Sequence, residues 1–264
     1  MVSASPEPSL PDPLATLLEL SHDLGQAQRQ LAILAEGNTS CRLDADTFLI
    51  KSSGSSLSTL TAADVTRCRF EPLLKLLDQE QPSDNQITSA LLASRQPEGA
   101  AESRKPSTEA AFHAWLLTLP GVQFIAHTHP VSVNGILCSP RAQVFATHRM
   151  FPDEIVCCGR ESVLVPYVDP GVPLARHIRE DVAAYRRRNG QVPRTILLEN
   201  HGLIALGRSP AAAMATTLMC DKAARIFCAA SALGGPQFLP PEEVRRIEGR
   251  EDELYRQRAL GMAE

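Results

Sequence analysis

His127 and His129 stand two residues apart in the run Phe-Ile-Ala-His-Thr-His-Pro at positions 124–130, and no other feature restricts the fold as much. Side chains at i and i+2 of a strand project from one face, so an extended segment over residues 122–128 aims both imidazoles at a single point. A third imidazole, His201, lies in Asn200-His201-Gly202 between two apolar segments, residues 195–199 and 203–206, that read as strands around a turn. The chain must therefore bring a strand end and an inter-strand turn together.

Glu109 supplies a candidate fourth donor. It follows Pro106-Ser107-Thr108 and precedes a helical pattern with Phe112, Trp115, Leu116 and Leu119 on its apolar face, for which Ser107 reads as the N-cap. Three histidines and one carboxylate suit zinc, or another first-row ion such as manganese or cobalt, and leave a coordination position open for a substrate. Taken singly, each histidine reads as structural and Glu109 as a partner of the helix dipole. The His-x-His register beside a turn histidine favours one shared ion. The loops Gly37-Asn38-Thr39-Ser40 and Ser52-Ser53-Gly54, with Ser107 and Thr108, add N–H and hydroxyl donors of the kind that hold a phosphate or carboxylate.

Composition narrows the class. A chain of 264 residues with 44% hydrophobic content buries a sizeable core, and no long polar linker interrupts it. We expect a flexible tail over residues 1–12, one domain over 13–240 and a charged, exposed helical tail over 241–264. The net charge of −4 is spread along the chain without a basic stripe, which argues against nucleic acid. No apolar run approaches the roughly 20 residues that span a bilayer, and residues 1–12 lack a secretion-signal pattern, so no membrane association and a cytoplasmic location are expected. Seven cysteines without a Cys-x-x-Cys pair read as reduced and mostly buried, with Cys157 and Cys158 facing opposite ways on a strand.

Periodicity predicts helices over residues 14–34, 108–119, 130–137, 174–189 and 210–233, a hairpin over 41–50, a capped turn at 61–64, and short strands near 68–70, 143–146 and 162–166. Residues 79–103 carry no clear pattern.

Glu36-Gly37-Asn38-Thr39-Ser40, Ile50-Lys51-Ser52-Ser53-Gly54, Pro106-Ser107-Thr108-Glu109 with His113, His127-Thr128-His129-Pro130 and Asn200-His201-Gly202-Leu203 resemble, in order and spacing, the class II aldolase/adducin family. The resemblance implies an α/β fold, a three-layer α/β/α domain with a mainly antiparallel central sheet, assembled as a homotetramer with sites between subunits. It implies zinc on His127, His129 and His201, with Glu109 alternating between metal ligand and acid/base. Asn38, Ser53, Gly54, Ser107 and Thr108 would hold a substrate phosphate, and His113 would pack behind the site or orient one of its groups.

Two positions depart from the sugar-phosphate aldolases of that family. Where those enzymes place a tyrosine from the neighbouring subunit, this chain reads Ala146-Thr147-His148-Arg149-Met150, and Ala35 replaces a hydroxyl residue before the Gly-Asn loop. His148 or Arg149 would contact substrate or belong to an interface. The resemblance implies a metal-dependent carbon–carbon lyase, first an aldolase cleaving a ketose phosphate through an enediolate. Second comes a decarboxylase of a 3-oxo acid or aromatic carboxylate, with Arg149 or Lys51 on the carboxylate. Epimerases of the family carry Asp at the Glu109 position, and a non-catalytic adducin-like module would be expected to lose the three histidines.

Overall fold

The computed structural model describes residues 12–96, 104–259 and 261. Strands β1 (Asn38–Arg42), β2 (Thr47–Lys51), β3 (Val65–Arg69), β4 (Phe124–Thr128), β5 (Val163–Val165), β6 (Thr195–Leu198) and β7 (Gly202–Gly207) form a sheet in the order β3-β2-β1-β4-β7-β6-β5. Every pairing is antiparallel except that of β5 with β6.

Alternation along the central strands builds a layer on each face. Ile125 of β4 and Ile204 of β7 turn to one side, where they pack with Phe70, Phe112 and Ile178 from helices Phe70–Leu77, Ala110–Leu117 and Val172–Asn189. Ala126 and Ala205 turn to the other side and meet Leu20, Leu24 and Ala213 of helices Pro13–Leu24 and Pro210–Ala232. The small side chains there let two helices approach the sheet centre closely. The result is the expected three-layer α/β/α arrangement with a mostly antiparallel sheet. No helix among the described residues is long and apolar enough to cross a membrane.

Several local expectations are corrected, each by a tertiary contact. The first helix covers Pro13–Leu24 rather than 14–34, and a 3-10 turn follows at Ala27–Arg29. It ends at Gly25, where an added Cβ would stand 2.3 Å from the Ser58 nitrogen, so the chain is pressed against the turn Leu57–Thr59. Residues expected as a strand near 143–146 form the helix Ala142–Thr147, whose Phe145 meets Phe227 edge-on at 5.4 Å. Cys157 and Cys158 lie on helix Pro152–Cys158 and share one apolar cluster, with burial pushing the Cys157 thiol up to about 12. Around 68–70 the strand is Val65–Arg69, and Phe70 opens a helix that periodicity missed. Within 79–103 a Ser83–Gln86 capping box starts helix Asp84–Ser94, while 97–103 fall outside the described residues.

Both ends of the chain are partly outside the description. Of the tail expected over 1–12, Asp12 is described, and its carboxylate caps the first helix by accepting from Leu14 N–H at 3.0 Å. The C-terminal segment is helical as expected, over Pro241–Glu248 and Glu251–Ala259, but not wholly exposed. Val244 and Ile247 bury against Ile155.

Arg149 belongs to the fold rather than to a substrate surface. Its side chain, 2% exposed, donates to the Gly159 carbonyl at 2.7 Å, the His148 carbonyl at 2.9 Å and Ser162 Oγ at 3.0 Å, and lies 3.9 Å from the equally buried Glu154. Removing one partner of such a buried pair leaves the other uncompensated. Arg149→Met is therefore expected to lower the unfolding free energy by about 3–5 kcal/mol, read as a fall in denaturant midpoint. An unchanged midpoint would show that the guanidinium holds nothing together.

Candidate metal centre

β4 delivers His127 and His129 to one end of the sheet, and the β6–β7 turn delivers His201 beside them. The turn needs a residue in the left-handed region, and Asn200 supplies it with φ 54°. Asn134 then steadies the turn by donating its amide to the His201 carbonyl at 2.9 Å. Gly202 is required by proximity, because an added Cβ would lie 2.6 Å from the Thr128 oxygen, 2.7 Å from His129 Cδ2 and 3.3 Å from His127 Cε1.

The tautomer of His127 is set across the sheet. Its Nδ1–H donates to the Leu203 carbonyl at 3.0 Å, which leaves the Nε2 lone pair directed into the cluster. That nitrogen sits 3.1 Å from His129 Nε2, and one ligand atom from each of His127, His129 and His201 falls within 4.8 Å of the others. Burial, reinforced by the neighbouring imidazoles, pushes the pKa of His127 and of His129 down to about 3. Both rings are neutral at physiological pH, the form that ligates a metal.

Glu109 occupies the position before helix Ala110–Leu117, and its side chain makes no capping bond to the helix. Hydrogen-bonded capping of the helix is therefore not its structural task. Instead Oε2 lies 3.4 Å from His127 Nε2 and Oε1 lies 3.5 Å from His201 Nε2. Oε1 is buried without a hydrogen-bond partner. A buried carboxylate oxygen with no donor is costly, and a cation held among neutral imidazoles is the kind of group that would satisfy it. The chemistry of the three gathered imidazoles, with Glu109 facing two of them, fits a divalent ion.

The residues expected to hold a phosphate are brought to one side of this cluster. An isolated bridge between Ser52 and Pro106 sets the Ser53-Gly54 loop beside Ser107-Thr108, where Ser53, Gly54 and Thr108 are exposed. Ser107 is not the helix cap; its hydroxyl accepts from the Glu109 N–H at 3.3 Å and from the Asn38 amide at 3.2 Å. Asn38, 4% exposed and in register with His127, also donates to Glu109 Oε2 at 2.7 Å. Lys51 is buried, with Nζ donating to the Ala35 carbonyl at 3.3 Å; burial lowers its pKa against the opposing pull of Glu109 and Asp64. His148 is exposed, its ring 4.7 Å from that of Phe238.

One acid escaped the sequence reading. Glu36 lies 3.8 Å from His129 Nδ1 and accepts from the Ile33 N–H at 3.0 Å. Its place before the Gly37-Asn38 loop was the available signal.

The mostly antiparallel sheet thus gathers three imidazoles at one end, with the Glu109 carboxylate facing two of them from a helix start. Residues 15–228 match the Class II Aldolase and Adducin N-terminal domain, and the chain belongs to the class II aldolase and adducin family. It is 27% identical over 237 residues to a 3-oxo-tetronate 4-phosphate decarboxylase of Haemophilus influenzae, covering 88% of this chain and 96% of that protein. It is 25% identical over 255 residues to YuxG, an uncharacterised oxidoreductase of Bacillus subtilis, covering 90% of this chain but only 33% of that protein's length. Among solved structures, an L-fuculose 1-phosphate aldolase superposes with a TM-score of 0.67 at 19% identity, covering 91% and 96% of the two chains.

Purified protein is expected to carry about one divalent ion per chain, measured by inductively coupled plasma mass spectrometry. Gly202→Ala should hold that ion at least about tenfold more weakly. Equal retention would mean that the rings do not need this spacing.

Proposed function

We propose that the protein is a metal-dependent carbon–carbon lyase acting next to the carbonyl of a small phosphorylated substrate, first an aldolase on a ketose phosphate. The observation that carries this reading is the unpartnered Oε1 of Glu109, buried 3.5 Å from His201 Nε2. A divalent ion on these residues supplies Lewis acidity to the substrate carbonyl. Glu109 in its protonated form gives its proton to the carbon left behind as the electron pair of the breaking bond moves towards the carbonyl. The proton lost by the leaving hydroxyl passes to solvent, from which Glu109 regains one. Ser53, Gly54 and Thr108 line the exposed approach and bind the phosphate through backbone N–H and hydroxyl groups. Assembly as a homotetramer in the cytoplasm belongs to the same reading.

A second reading, decarboxylation of a phosphorylated 3-oxo acid, is favoured by two observations. Aldol cleavage must also remove a proton from the leaving hydroxyl, and residues 146–150 contain no tyrosine for that task. Loss of carbon dioxide from a carboxylate releases no hydroxyl proton and consumes one at carbon, which Glu109 gives and regains from solvent. The Haemophilus relative carries the matching name. Of the two cations considered for the carboxylate, Arg149 is committed to the fold, and Lys51 remains beside the site.

A panel of ketose 1-phosphates, assayed for dihydroxyacetone phosphate, and of 3-oxo acid phosphates, assayed for carbon dioxide, separates the two. Turnover of neither class by metal-loaded protein would sink the proposal. On the accepted substrate, Glu109→Gln is expected to lower kcat about 100- to 10,000-fold with the fold retained by circular dichroism. Undiminished turnover would show that Glu109 is not the acid/base.

A further inference from the structure

We infer that His113 is a positioning residue which, acting through Asn38, fixes the Glu109 carboxylate against the histidine cluster. The inference rests on the proposed role of Glu109 as ligand and acid/base. It departs from the task that the family resemblance assigns to Asn38, which is to hold a substrate phosphate.

The hydrogen-bond directions follow from the chemistry of each group. Asn38 Nδ2 has two hydrogens; one goes to Glu109 Oε2 at 2.7 Å and the other to Ser107 Oγ at 3.2 Å. Its Oδ1 faces His113 Nε2 and can only accept, so that nitrogen carries the ring proton. His113 is fully buried, and burial holds the ring neutral. Nδ1 is then an acceptor, and the Ser40 hydroxyl donates to it at 2.7 Å. From Ser40 to His113 to Asn38 to Glu109, every donor points the same way. Turning the Asn38 amide over would set Oδ1 against the Glu109 carboxylate and the NH2 group against the His113 N–H, two like contacts at once.

This row ties the carboxylate to the sheet. Ser40 and Asn38 lie on β1 in register with Ile125 and His127 of β4, whereas His113 lies one turn beyond Glu109 on its helix, stacked on Phe112 at 4.5 Å. Glu109 is thus held from the strand that neighbours the histidines, not by its own rotamer preference. The two oxygens become chemically unlike. Oε2 is satisfied by Asn38, while Oε1 has no partner and stays free to ligate or to take a proton. An Asn38 whose amide bound a phosphate would have to release Glu109 or Ser107, since both amide hydrogens are already engaged.

Cobalt(II) substitution tests this without a known substrate. Its visible bands report coordination, and competition with a chelator gives its affinity. His113→Leu removes the donor within the apolar packing, and Asn38→Ala removes the link should the first variant fail to fold. Both are expected to shift the cobalt spectrum towards that of Glu109→Gln and to weaken binding about 10- to 100-fold. His113→Gln, which keeps an N–H for Asn38, should stay near wild type. Wild-type spectrum and affinity in the Leu and Ala variants, with Glu109→Gln displaced, would overturn the inference and leave the metal site standing. A wild-type protein that takes up no cobalt would overturn both. Once a substrate is in hand, Asn38→Ala should lower kcat at constant KM; a raised KM at constant kcat returns Asn38 to phosphate binding.

Discussion

The pairing of β4 with β7 is the constraint from which the site follows. At its end the two strands lie so close that Gly202 has no room for a Cβ, and the space it leaves is filled by the rings of His127 and His129. The same pairing supplies the Leu203 carbonyl that fixes the His127 tautomer, and it ends in the turn that carries His201. Three donors from two sequence regions are thereby set by one backbone register. His127 is borne by β4 itself, and His129 and His201 by residues directly flanking the paired strands, so one register limits how far all three can move.

Burial then holds His127 and His129 in the neutral form. Neutral imidazoles gathered at van der Waals distance cost little in a desolvated corner, whereas a carboxylate there needs donors. Glu109 receives one, from Asn38 on Oε2, and leaves Oε1 beside His201 without a donor. Such partial satisfaction is unfavourable for the fold alone, since a fully bonded or apolar side chain would be more stable. Retaining it makes sense where a cation and a proton are to be exchanged.

What the sequence revealed follows from what fixes each element. A period of two makes His127 and His129 legible, and the Asn-His-Gly turn is legible because its residue types have few other uses. Glu109 was legible by its neighbours, but its separation from helix capping was not, because that depends on Asn38 reaching across from β1. The first helix was drawn ten residues too long, since Gly25 ends it through contact with Ser58, a partner the local pattern does not contain. Residues 142–147 misled for a related reason: a six-residue apolar segment fits either period, and packing against Phe227 chose the helix. Arg149, which on sequence alone suits an anionic substrate, proved to be surrounded by carbonyls that only the fold assembles.

Of the two departures from the sugar-phosphate aldolase pattern, Ala35 lies in the loop before β1, while residues 146–150 lie at the end of helix Ala142–Thr147. The inner wall of His127, His129, His201 and Glu109 rests on strands and a helix start, while the outer wall is built from residues 30–37, 52–55 and 104–108, which are turns and loops. Ala35, Glu36 and Lys51 meet at that outer wall, with the Lys51 ammonium on the Ala35 carbonyl and the Glu36 carboxylate 3.8 Å from His129. A hydroxyl that would have bonded a phosphate is absent there, and an acid and a cation stand nearby instead. Loops of this kind change without disturbing a sheet, so substrate choice can drift while the metal donors stay fixed. The histidines and Glu109 are therefore held by the sheet and a helix start, whereas Glu36 reaches His129 from a loop that the sheet does not fix.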